Sequence, residues 1–488
     1  MVSIVRDLKS KSKTEKIMYY VGLPLAMVVL AIFYSIPTPE GISFEGKMSL
    51  GIFLFALILW VTESLPNYAV SMISIALLSI LGGWAEKNAL GTMGYGVIWL
   101  MISAFIITSG MEKSGLAKRI ALAIITRFGK TWKSMLLSLM AANFTIAFIV
   151  PSTTARAAML LPIVLLIAKA FNVESGNKNL GKLLSIQGLQ ANNISTSAIV
   201  TATAPQILAI GLMKELTGSS VSWGEWFIAS APIAVLTLIA SFFIGIFLFK
   251  PNGAAKAGGE EIKEINRQYL ELGPVSLDEK KAASIFFVTI FLWATDKWHM
   301  DLFGFQISLV MVAVISASIF FMPYVGILTW KEAKIPWNLM VFAAGAYAVG
   351  VSLSETGVAS WALGSIFSHF GVKDMSFTML YAVVIAISSF SHFVFTSKTV
   401  RTIILIPTLI GLAESAGVPP LMLALPAAFT IADTITLPPH SKANLIYYST
   451  GYFSVNNQLT YGVLTLLAKW CLMFGASFTW FAYLGITP

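Results

Sequence analysis

Two stretches, about half a chain apart, carry the same polar pattern inside apolar sequence. Residues 152–156 and 397–401 both read S-x-T-x-R, and each is followed after five residues by a proline. A second pattern, T-x-T-x-P, also occurs twice, at residues 201–205 and 434–438. Such breaks can bind an anion, because a helix N-terminus carries free N–H groups and partial positive charge. Paired polar breaks in the two halves of a membrane chain are typical of a transporter's binding site.

Two such clusters facing each other suit a ligand with two anionic ends, and a small dicarboxylate is the natural candidate. Ser and Thr hydroxyls donate hydrogen bonds to carboxylate oxygens, and the prolines prevent regular helix bonding at the second pattern. The predicted substrate-binding residues are Ser152, Thr153, Thr154, Thr201, Thr203, Pro205, Ser397, Lys398, Thr399, Thr434, Thr436 and Pro438.

Basic side chains accompany these hydroxyls. Lys398 lies within the second motif, and Arg156 and Arg401 end the two motifs. A cation inside the membrane costs a few kcal/mol or more unless it is paired, so it tends to be retained for function. The two arginines either supply fixed charge to the site or extend toward lipid headgroups or water.

Three other titratable residues lie near the second-half motifs. We interpret His392 and His440 as packing histidines. Asp433 is either a proton carrier or a paired structural carboxylate, and the sequence leaves both alternatives open.

The composition identifies a membrane protein. Of the 488 residues, 57% are hydrophobic and 11% are charged, whereas soluble proteins carry about 25% charged residues. A helix needs roughly 20 apolar residues to cross the hydrocarbon core. Apolar runs that approach or exceed this length recur at 17–36, 49–64, 68–83, 94–110, 228–249, 283–296, 304–323, 336–352 and 464–485. We therefore predict an all-α polytopic membrane protein.

Each S-x-T-x-R stretch divides a pair of apolar segments. The first pair covers 134–150 and 157–171, and the second covers 376–395 and 402–413. Two shorter helices that meet at a tip would place the tip hydroxyls at mid-depth, where irregular backbone is tolerated only inside protein or beside a wet cavity. We predict two reentrant hairpins that dip from opposite sides as an inverted repeat.

A long polar interval at 250–282 separates the halves and is predicted to be a cytoplasmic linker with one short surface helix. The hairpins and broken helices are predicted to form a transport domain. The predicted order is scaffold helices at 1–133, the first hairpin and broken helix at 134–249, the linker at 250–282, scaffold helices at 283–375, and the second hairpin, broken helix and last helix at 376–488.

The net charge of +9 indicates topology rather than a nucleic-acid site. Lys and Arg cluster at 1–16, 113–133 and 250–281, as expected for cytoplasmic connections. We therefore expect a multi-pass protein of the cell (inner or plasma) membrane with a cytoplasmic N-terminus and, after an odd number of crossings, an external C-terminus. The single cysteine, Cys471, lies in an apolar run and is predicted to be a buried, inert thiol.

Residues 329–338 read T-W-K-E-A-K-I-P-W-N. Together with the paired tips and the T-x-T-x-P breaks, they resemble the divalent anion:sodium symporter family over essentially the whole chain. The resemblance implies an eleven-helix protomer with two reentrant hairpins, a homodimer, and an elevator-type movement of a transport domain past a scaffold. In that family each tip typically reads Ser-Asn-Thr, and each tip binds one carboxylate of a dicarboxylate with sodium ions beside it.

The tips of this chain depart from that family pattern. The central Asn is Thr153 at the first tip and Lys398 at the second. Asn offers a carbonyl oxygen to sodium, whereas Lys offers none and carries its own charge. We predict that Lys398, Arg156 and Arg401 replace the sodium ions, so that no metal or other cofactor is needed.

Charged, unpaired tips should cross the membrane only with a dianion bound, because the empty charges would lose water without compensation. This predicts a sodium-independent exchanger of C4 or C5 dicarboxylates such as 2-oxoglutarate, malate, succinate or fumarate. Sodium-coupled dicarboxylate symport is the alternative.

An enzyme and a channel are the other classes to weigh. No metal-binding histidine pair, cysteine cluster, phosphate loop or nucleophile elbow occurs at useful spacing, so we expect no catalytic residues. Reentrant hairpins also occur in channels, and only saturable counterflow separates a channel from a carrier.

Overall fold

The computed structural model describes residues 13–129, 131–171, 178–251, 259–358, 361, 375–393, 395 and 397–488. Within these ranges the chain forms helices and turns and has no β-strand. Most of the basic N-terminal cluster, at residues 1–12, lies outside the described residues. The prediction of an all-α chain is confirmed.

The helices of the first half are α1 (Lys13–Ser35), α2 (Phe44–Thr62), α3 (Asn67–Ile80), α4 (Glu86–Gly91), α5 (Gly96–Ser114), α6 (Leu116–Phe128), α7 (Trp132–Ile149), α8 (Thr153–Ala170), α9 (Lys178–Ser197), α10 (Ala204–Thr217) and α11 (Trp223–Leu248). The linker and the second half contain α12 (Gly259–Glu271), α13 (Leu277–Ala294), α14 (His299–Phe303), α15 (Leu309–Ile319), α16 (Trp337–Glu355), α17 (Phe377–Phe390), α18 (Lys398–Ser415), α19 (Leu421–Ala428), α20 (Lys442–Tyr448), α21 (Val455–Ser477) and α22 (Trp480–Tyr483).

Eight helical segments of the described chain are long and apolar enough to cross a membrane. They are Lys16–Ser35, Phe44–Thr62, Glu86–Ser114, Trp132–Ile149, Thr153–Ala170, Trp223–Leu248, Trp337–Glu355 and Val455–Ser477. Three shorter apolar helices accompany them, at Asn67–Ile80, Leu309–Ile319 and Phe377–Phe393. The chain is a polytopic α-helical membrane protein, as its composition predicts.

The outer surface is apolar where a bilayer would cover it. Phe247 is 83% exposed and Phe287 is 72% exposed, although both lie on long apolar helices. Cys471 is also exposed, on α21. The prediction of a buried thiol is therefore wrong, because an apolar run in a membrane helix has a lipid-facing side as well as a buried one.

A serine starts the second arm of each hairpin. Ser152 is the N-cap of α8 and accepts a hydrogen bond from the backbone N–H of Ala155. Ser397 caps α18 in the same way, through the N–H of Val400. A cap of this kind satisfies one of the backbone N–H groups that every helix start leaves free. The repeated serine of S-x-T-x-R therefore has a structural origin in both halves.

The arms of the hairpins are not all short. α7, α8 and α18 each have 18 residues, and α17 has 14. A helix of 18 residues is about 27 Å long, so length alone does not separate these arms from crossing helices. The two tips line one shared cavity.

Helix α9 lies at the centre of the hairpin region, where it contacts α7, α8, α11 and α20. It is buried without interruption from Leu183 to Ser197. Helix α10, which follows the first T-x-T-x-P break, packs against α18 of the second hairpin. These contacts bring the polar patterns of the two halves together.

The linker contains a helix, α12, that packs against α6 and α8. Arg119 of α6 binds the segment that follows α12. Its Nε donates to Glu279 at 2.6 Å, and its guanidinium also donates to the carbonyls of Leu272 and Gly273. The polar interval is therefore attached to the helices beside it.

The stretch at 329–338 lies largely in the connection between α15 and α16. Thr329 and Glu332 cap each other, and Lys113 of α5 donates to Glu332 at 2.6 Å. The pKa of Glu332 is lowered to about 2, mainly by the hydrogen bond from Lys113. This stretch therefore joins α16 to the end of α5.

Replacement of the cap tests the role of the second tip's serine. Ser397→Ala should lower the free energy of unfolding by about 1 kcal/mol, and Ser397→Gly by only a few tenths, because glycine leaves the helix start open to other partners. Thermal unfolding of the purified protein measures both. Ser415→Ala, at the other end of the same helix, is the control and should have no effect. Equal losses for the alanine and glycine variants would contradict the capping role.

Candidate functional site

A cavity of about 380 Å³ lies between the two hairpin tips. Its volume falls within the range of small-molecule sites. The residues that line it come from both tips, both breaks and helices α5 and α16: Phe105, Pro151, Ser152, Thr153, Thr154, Thr203, Ala204, Pro205, Leu339, Lys398, Thr399, His440, Ser441 and Lys442.

Seven of the predicted binding residues line this cavity. They are Ser152, Thr153, Thr154, Thr203, Pro205, Lys398 and Thr399. The structure therefore brings together hydroxyl groups from both tips and from the first break, which is the arrangement that a ligand with two anionic ends requires.

The other predicted residues, Thr201, Ser397, Thr434, Thr436 and Pro438, lie outside the cavity lining. Thr201 accepts a hydrogen bond from the indole N–H of Trp223 at 3.3 Å, and the hydroxyl of Thr434 is buried. The second break instead contributes the residues that follow it, from His440 to Lys442. T-x-T-x-P thus marks the two breaks correctly, but not every threonine in it faces the cavity.

Lys398 carries the charge closest to the cavity. It is the first residue of α18 and lines the cavity. Its Nζ is buried and has no hydrogen-bond partner among the described residues. An ammonium group offers three donors, so Lys398 has donors free for an anion.

The two motif arginines are fully buried. Arg156 donates from Nη2 to the hydroxyl of Thr196 at 2.6 Å. Arg401 donates from Nη2 to the backbone carbonyls of Thr430, at 3.0 Å, and Ile431. Both arginines therefore point into the protein, and the alternative in which they extend toward headgroups or water is wrong.

Each arginine keeps unused donors. In the described part of the chain, Nε and Nη1 of both Arg156 and Arg401 are buried without a partner. Both guanidinium groups interact electrostatically with Lys398. Three positive charges are therefore concentrated near the tips, with donors to spare.

Asp433 does not neutralise these charges, because it is already paired. Lys469 of α21 donates from Nζ to Asp433 Oδ2 at 2.6 Å, and both side chains are buried. Of the two interpretations of Asp433, the structure shows the paired carboxylate. The sequence analysis did not identify Lys469, since it lies in the last apolar run and belongs to neither motif.

A chain of hydrogen bonds leads from the protein interior to the cavity through two histidines. His392 Nδ1 lies 2.8 Å from the carbonyl of Ser389, and His392 Nε2 lies 2.7 Å from the hydroxyl of Thr436. The same hydroxyl lies 3.3 Å from Nδ1 of His440, which lines the cavity.

The hydrogen-bond partners determine which ring nitrogen of each histidine carries a proton. A carbonyl only accepts, so Nδ1–H of a neutral His392 donates to Ser389 and its Nε2 accepts from Thr436. Thr436 then accepts from Nδ1–H of His440. The Nε2 of His440 makes no hydrogen bond with the described residues. His392 is a packing histidine, as predicted, whereas His440 faces the cavity.

Side-chain amides hold the broken segments in place, and the sequence analysis missed them. Asn192 donates to the carbonyl of Thr153 at 2.8 Å and so supports the first tip. Asn193 donates to Asn444 at 3.1 Å, and Asn444 donates to the carbonyl of Thr434 at 2.6 Å. The polar run at 185–197, just before the first T-x-T-x-P, was the available signal, because buried membrane helices carry amides only where these find partners.

Comparisons with known proteins agree with this architecture. A family model described as "Sodium:sulfate symporter transmembrane region" matches residues 17–487. A membrane protein of Cupriavidus necator is 26% identical over 491 residues, which cover 96% of this chain and 94% of the relative. A protein of Escherichia coli (strain K12) named L-tartrate/succinate antiporter is 25% identical over 459 residues, which cover 88% of this chain and 91% of the relative.

Two solved transporter structures share the fold. The YdaH transporter of Alcanivorax borkumensis superposes with a TM-score of 0.59 at 13% identity, covering 91% of this chain and 100% of that one. MtrF of Neisseria gonorrhoeae, from a class of antimetabolite efflux pumps, gives a TM-score of 0.59 at 13% identity, covering 96% of this chain and 97% of that one.

The threonine between the two histidines provides a test of the hydrogen-bond chain. Thr436→Val keeps the side-chain shape but leaves His392 Nε2 and His440 Nδ1 without their partner, at a cost of about 1–3 kcal/mol for each unsatisfied group. Since His440 lines the cavity and would lose the hydrogen bond that orients it, we expect the predicted dicarboxylate ligands to bind more weakly, measured as a smaller ligand-induced rise in Tm. Thr237→Val is the matched control, since Thr237 is buried and donates to the carbonyl of Ile233 in its own helix. An unchanged ligand response in Thr436→Val would exclude a role of this hydrogen-bond chain in ligand binding.

Proposed function

The chain belongs to the sodium:sulfate symporter transmembrane family, and on that premise we propose that it is a sodium-independent exchanger of small dicarboxylates. Its substrates are C4 or C5 dicarboxylates such as succinate, malate, fumarate or 2-oxoglutarate. L-tartrate joins them as a candidate, because relatives of this chain are named L-tartrate/succinate antiporters. We propose no enzymatic activity.

One observation carries the proposal: the region around the cavity holds more buried positive charge than negative charge. Among the described residues, the basic groups buried there are Arg156, Lys398, Arg401 and Lys469, whereas the buried acid is Asp433. Since Lys469 pairs with Asp433, the other three charges are left without an acidic partner. A dianion between the tips would offset most of this excess.

The excess charge also supports exchange rather than net uptake. An uncompensated charge in a low-dielectric interior costs several kcal/mol, even after relaxation and water penetration. The empty site keeps the charges of Arg156 and Arg401, because guanidinium groups do not lose their protons in proteins. Movement of the empty site across the membrane is therefore disfavoured, whereas movement with a bound dianion is not. Each outward step then requires a substrate, as does each inward step.

Sodium-coupled symport is the second candidate, and the family description itself favours it. Unwound backbone carbonyls are the groups that bind sodium in transporters of this general type. In this chain, the carbonyls of Thr430 and Ile431 already accept hydrogen bonds from Arg401. This occupancy supports the exchanger over the symporter.

We also propose an elevator mechanism and a homodimer, both implied by the resemblance to symporters of divalent anions. In this proposal the segments at 134–249 and 376–488 move as one transport domain past the helices of 1–133 and 283–375. The shared cavity supports joint movement of the two hairpins, since both tips line it. The proposed setting is the cell membrane, with the N-terminus in the cytoplasm and the C-terminus outside.

Transport by the purified protein in proteoliposomes tests the exchanger directly. Uptake of labelled succinate is measured into vesicles that are empty or preloaded with succinate, 2-oxoglutarate or L-tartrate, each with sodium or with choline. The proposal expects uptake only into preloaded vesicles and no difference between the two cations. Sodium-driven uptake into empty vesicles would establish the symporter instead, and no flux of any dicarboxylate would overturn the substrate class.

Removal of the tip ammonium should weaken binding of the dianion. Lys398→Met should lower succinate affinity by at least about tenfold, because a hydrogen bond to a charged group contributes about 1.5–3 kcal/mol. Lys442→Met removes a second lysine that lines the same cavity but is exposed, and its effect should stay below about fivefold. Half-saturation of exchange in preloaded vesicles measures both variants. Equal effects would show that the buried position of Lys398 has no special role.

A further inference from the structure

The break between α19 and α20 contains a cluster of oxygen atoms that face the protein interior. Helix α19 ends at Ala428, and the backbone is irregular from there to the 3₁₀ turn Pro438–His440. A helix end leaves its last carbonyls without partners in the helix. The carbonyls of Phe429 and Ile431 and the carboxylate of Asp433 therefore need a donor or a cation, whereas the carbonyl of Thr430 already accepts from the N–H of Asp433 at 3.0 Å.

Two basic side chains from other helices supply these donors. Lys469 Nζ lies 2.6 Å from Asp433 Oδ2 and 2.9 Å from the carbonyl oxygen of Phe429. Arg401 Nη2 donates to the next two carbonyls. Lys469 is only 2% exposed, so water does not compensate its charge. The ammonium thus contacts one carboxylate oxygen and one backbone carbonyl oxygen.

These oxygens match the ligands of a hard metal cation. Carboxylates and backbone carbonyls are what such cations bind, and unwound carbonyls at helix breaks bind sodium in secondary transporters. An ammonium group carries the same single charge as an alkali ion. It differs in being tethered by a side chain that is anchored in α21.

We propose that Lys469 is a tethered cation that neutralises Asp433 and thereby leaves the charges of Arg156, Lys398 and Arg401 to the substrate. Asp433 interacts electrostatically with both Lys398 and Arg401. Without Lys469, the carboxylate would cancel part of the positive charge that faces the cavity. An alkali ion would then occupy the vacated position beside Asp433. The inference deepens the proposed function, on which its link to substrate binding rests.

Removal of the ammonium provides the first measurement. Lys469→Met keeps the length of the side chain and leaves Asp433 as an unpaired buried anion. In choline chloride the Tm of this variant should be lower than in sodium chloride of equal concentration by at least about 3 °C. Sodium should also restore the succinate-induced rise in Tm, which choline should not. The wild-type protein should show no difference between the two salts.

Two control variants separate a cation position from a structural ion pair. Lys47→Met removes another buried lysine, which donates to the carbonyl of Ile36 at 2.7 Å and has no acidic partner among the described residues. It should lose stability equally in both salts. The double variant Asp433→Asn with Lys469→Met removes the anion as well, so its sodium response should disappear.

The outcomes decide between the ideas. A Lys469→Met protein that responds equally to sodium and choline would overturn the tethered cation, and so would one that cannot be purified in either salt while the double variant is stable. A sodium response in Lys469→Met alone would support it. The Tm measurement does not depend on transport, so it is independent of the exchanger assay. Wild-type protein that needs sodium for flux would refute the proposed function. The response of Lys469→Met to sodium would still decide whether Lys469 is a tethered cation.

Discussion

Positive charge that is buried in the membrane without an acidic partner is the constraint on which the rest of this structure depends. Arg156 and Arg401 are fully buried, and Lys398, whose ammonium is also buried, lines the cavity. Such charges are tolerated only where oxygen atoms surround them. The second helix break provides such oxygens to Arg401 and Lys469, because a broken helix exposes carbonyls that a continuous helix would use itself. Arg156 instead donates to the hydroxyl of Thr196 in α9.

The same requirement explains the amide-rich interior of the hairpin region. Each break also leaves backbone groups that no charged side chain reaches, and these bond to amides from α9, α20 and α21. Gln190 donates to the carbonyl of Ile435 at 2.9 Å, and Gln458 donates to the same oxygen at 3.4 Å. A network of this kind holds irregular backbone in one geometry, because each lost partner would leave a buried polar group unsatisfied. The charged donors that stay free within the described part of the chain, on Arg156, Lys398 and Arg401, are concentrated near the tips.

This distribution of free donors connects the fold to the proposed exchange. A carrier that binds sodium obtains its positive charge from solution and can release it before the return step. A carrier whose positive charge belongs to its own side chains cannot release that charge, so its empty form keeps the full desolvation cost. Coupling of the two transport steps then follows from the position of a few basic residues. The match to the family model extends over residues 17–487.

The sequence by itself determined the class of the protein, the membrane setting and the location of both tips and both breaks. These features depend on local patterns: the length of apolar runs, a serine that caps a helix start and a proline that ends regular hydrogen bonding. Only the tertiary structure decided which side chains face the cavity. It turned Thr201 toward Trp223, connected His440 to His392 through Thr436, and paired Asp433 with Lys469. Contacts of this kind join helices that are distant in the chain, so no local pattern encodes them. The partner of a buried polar group is set by whichever helix packs against it.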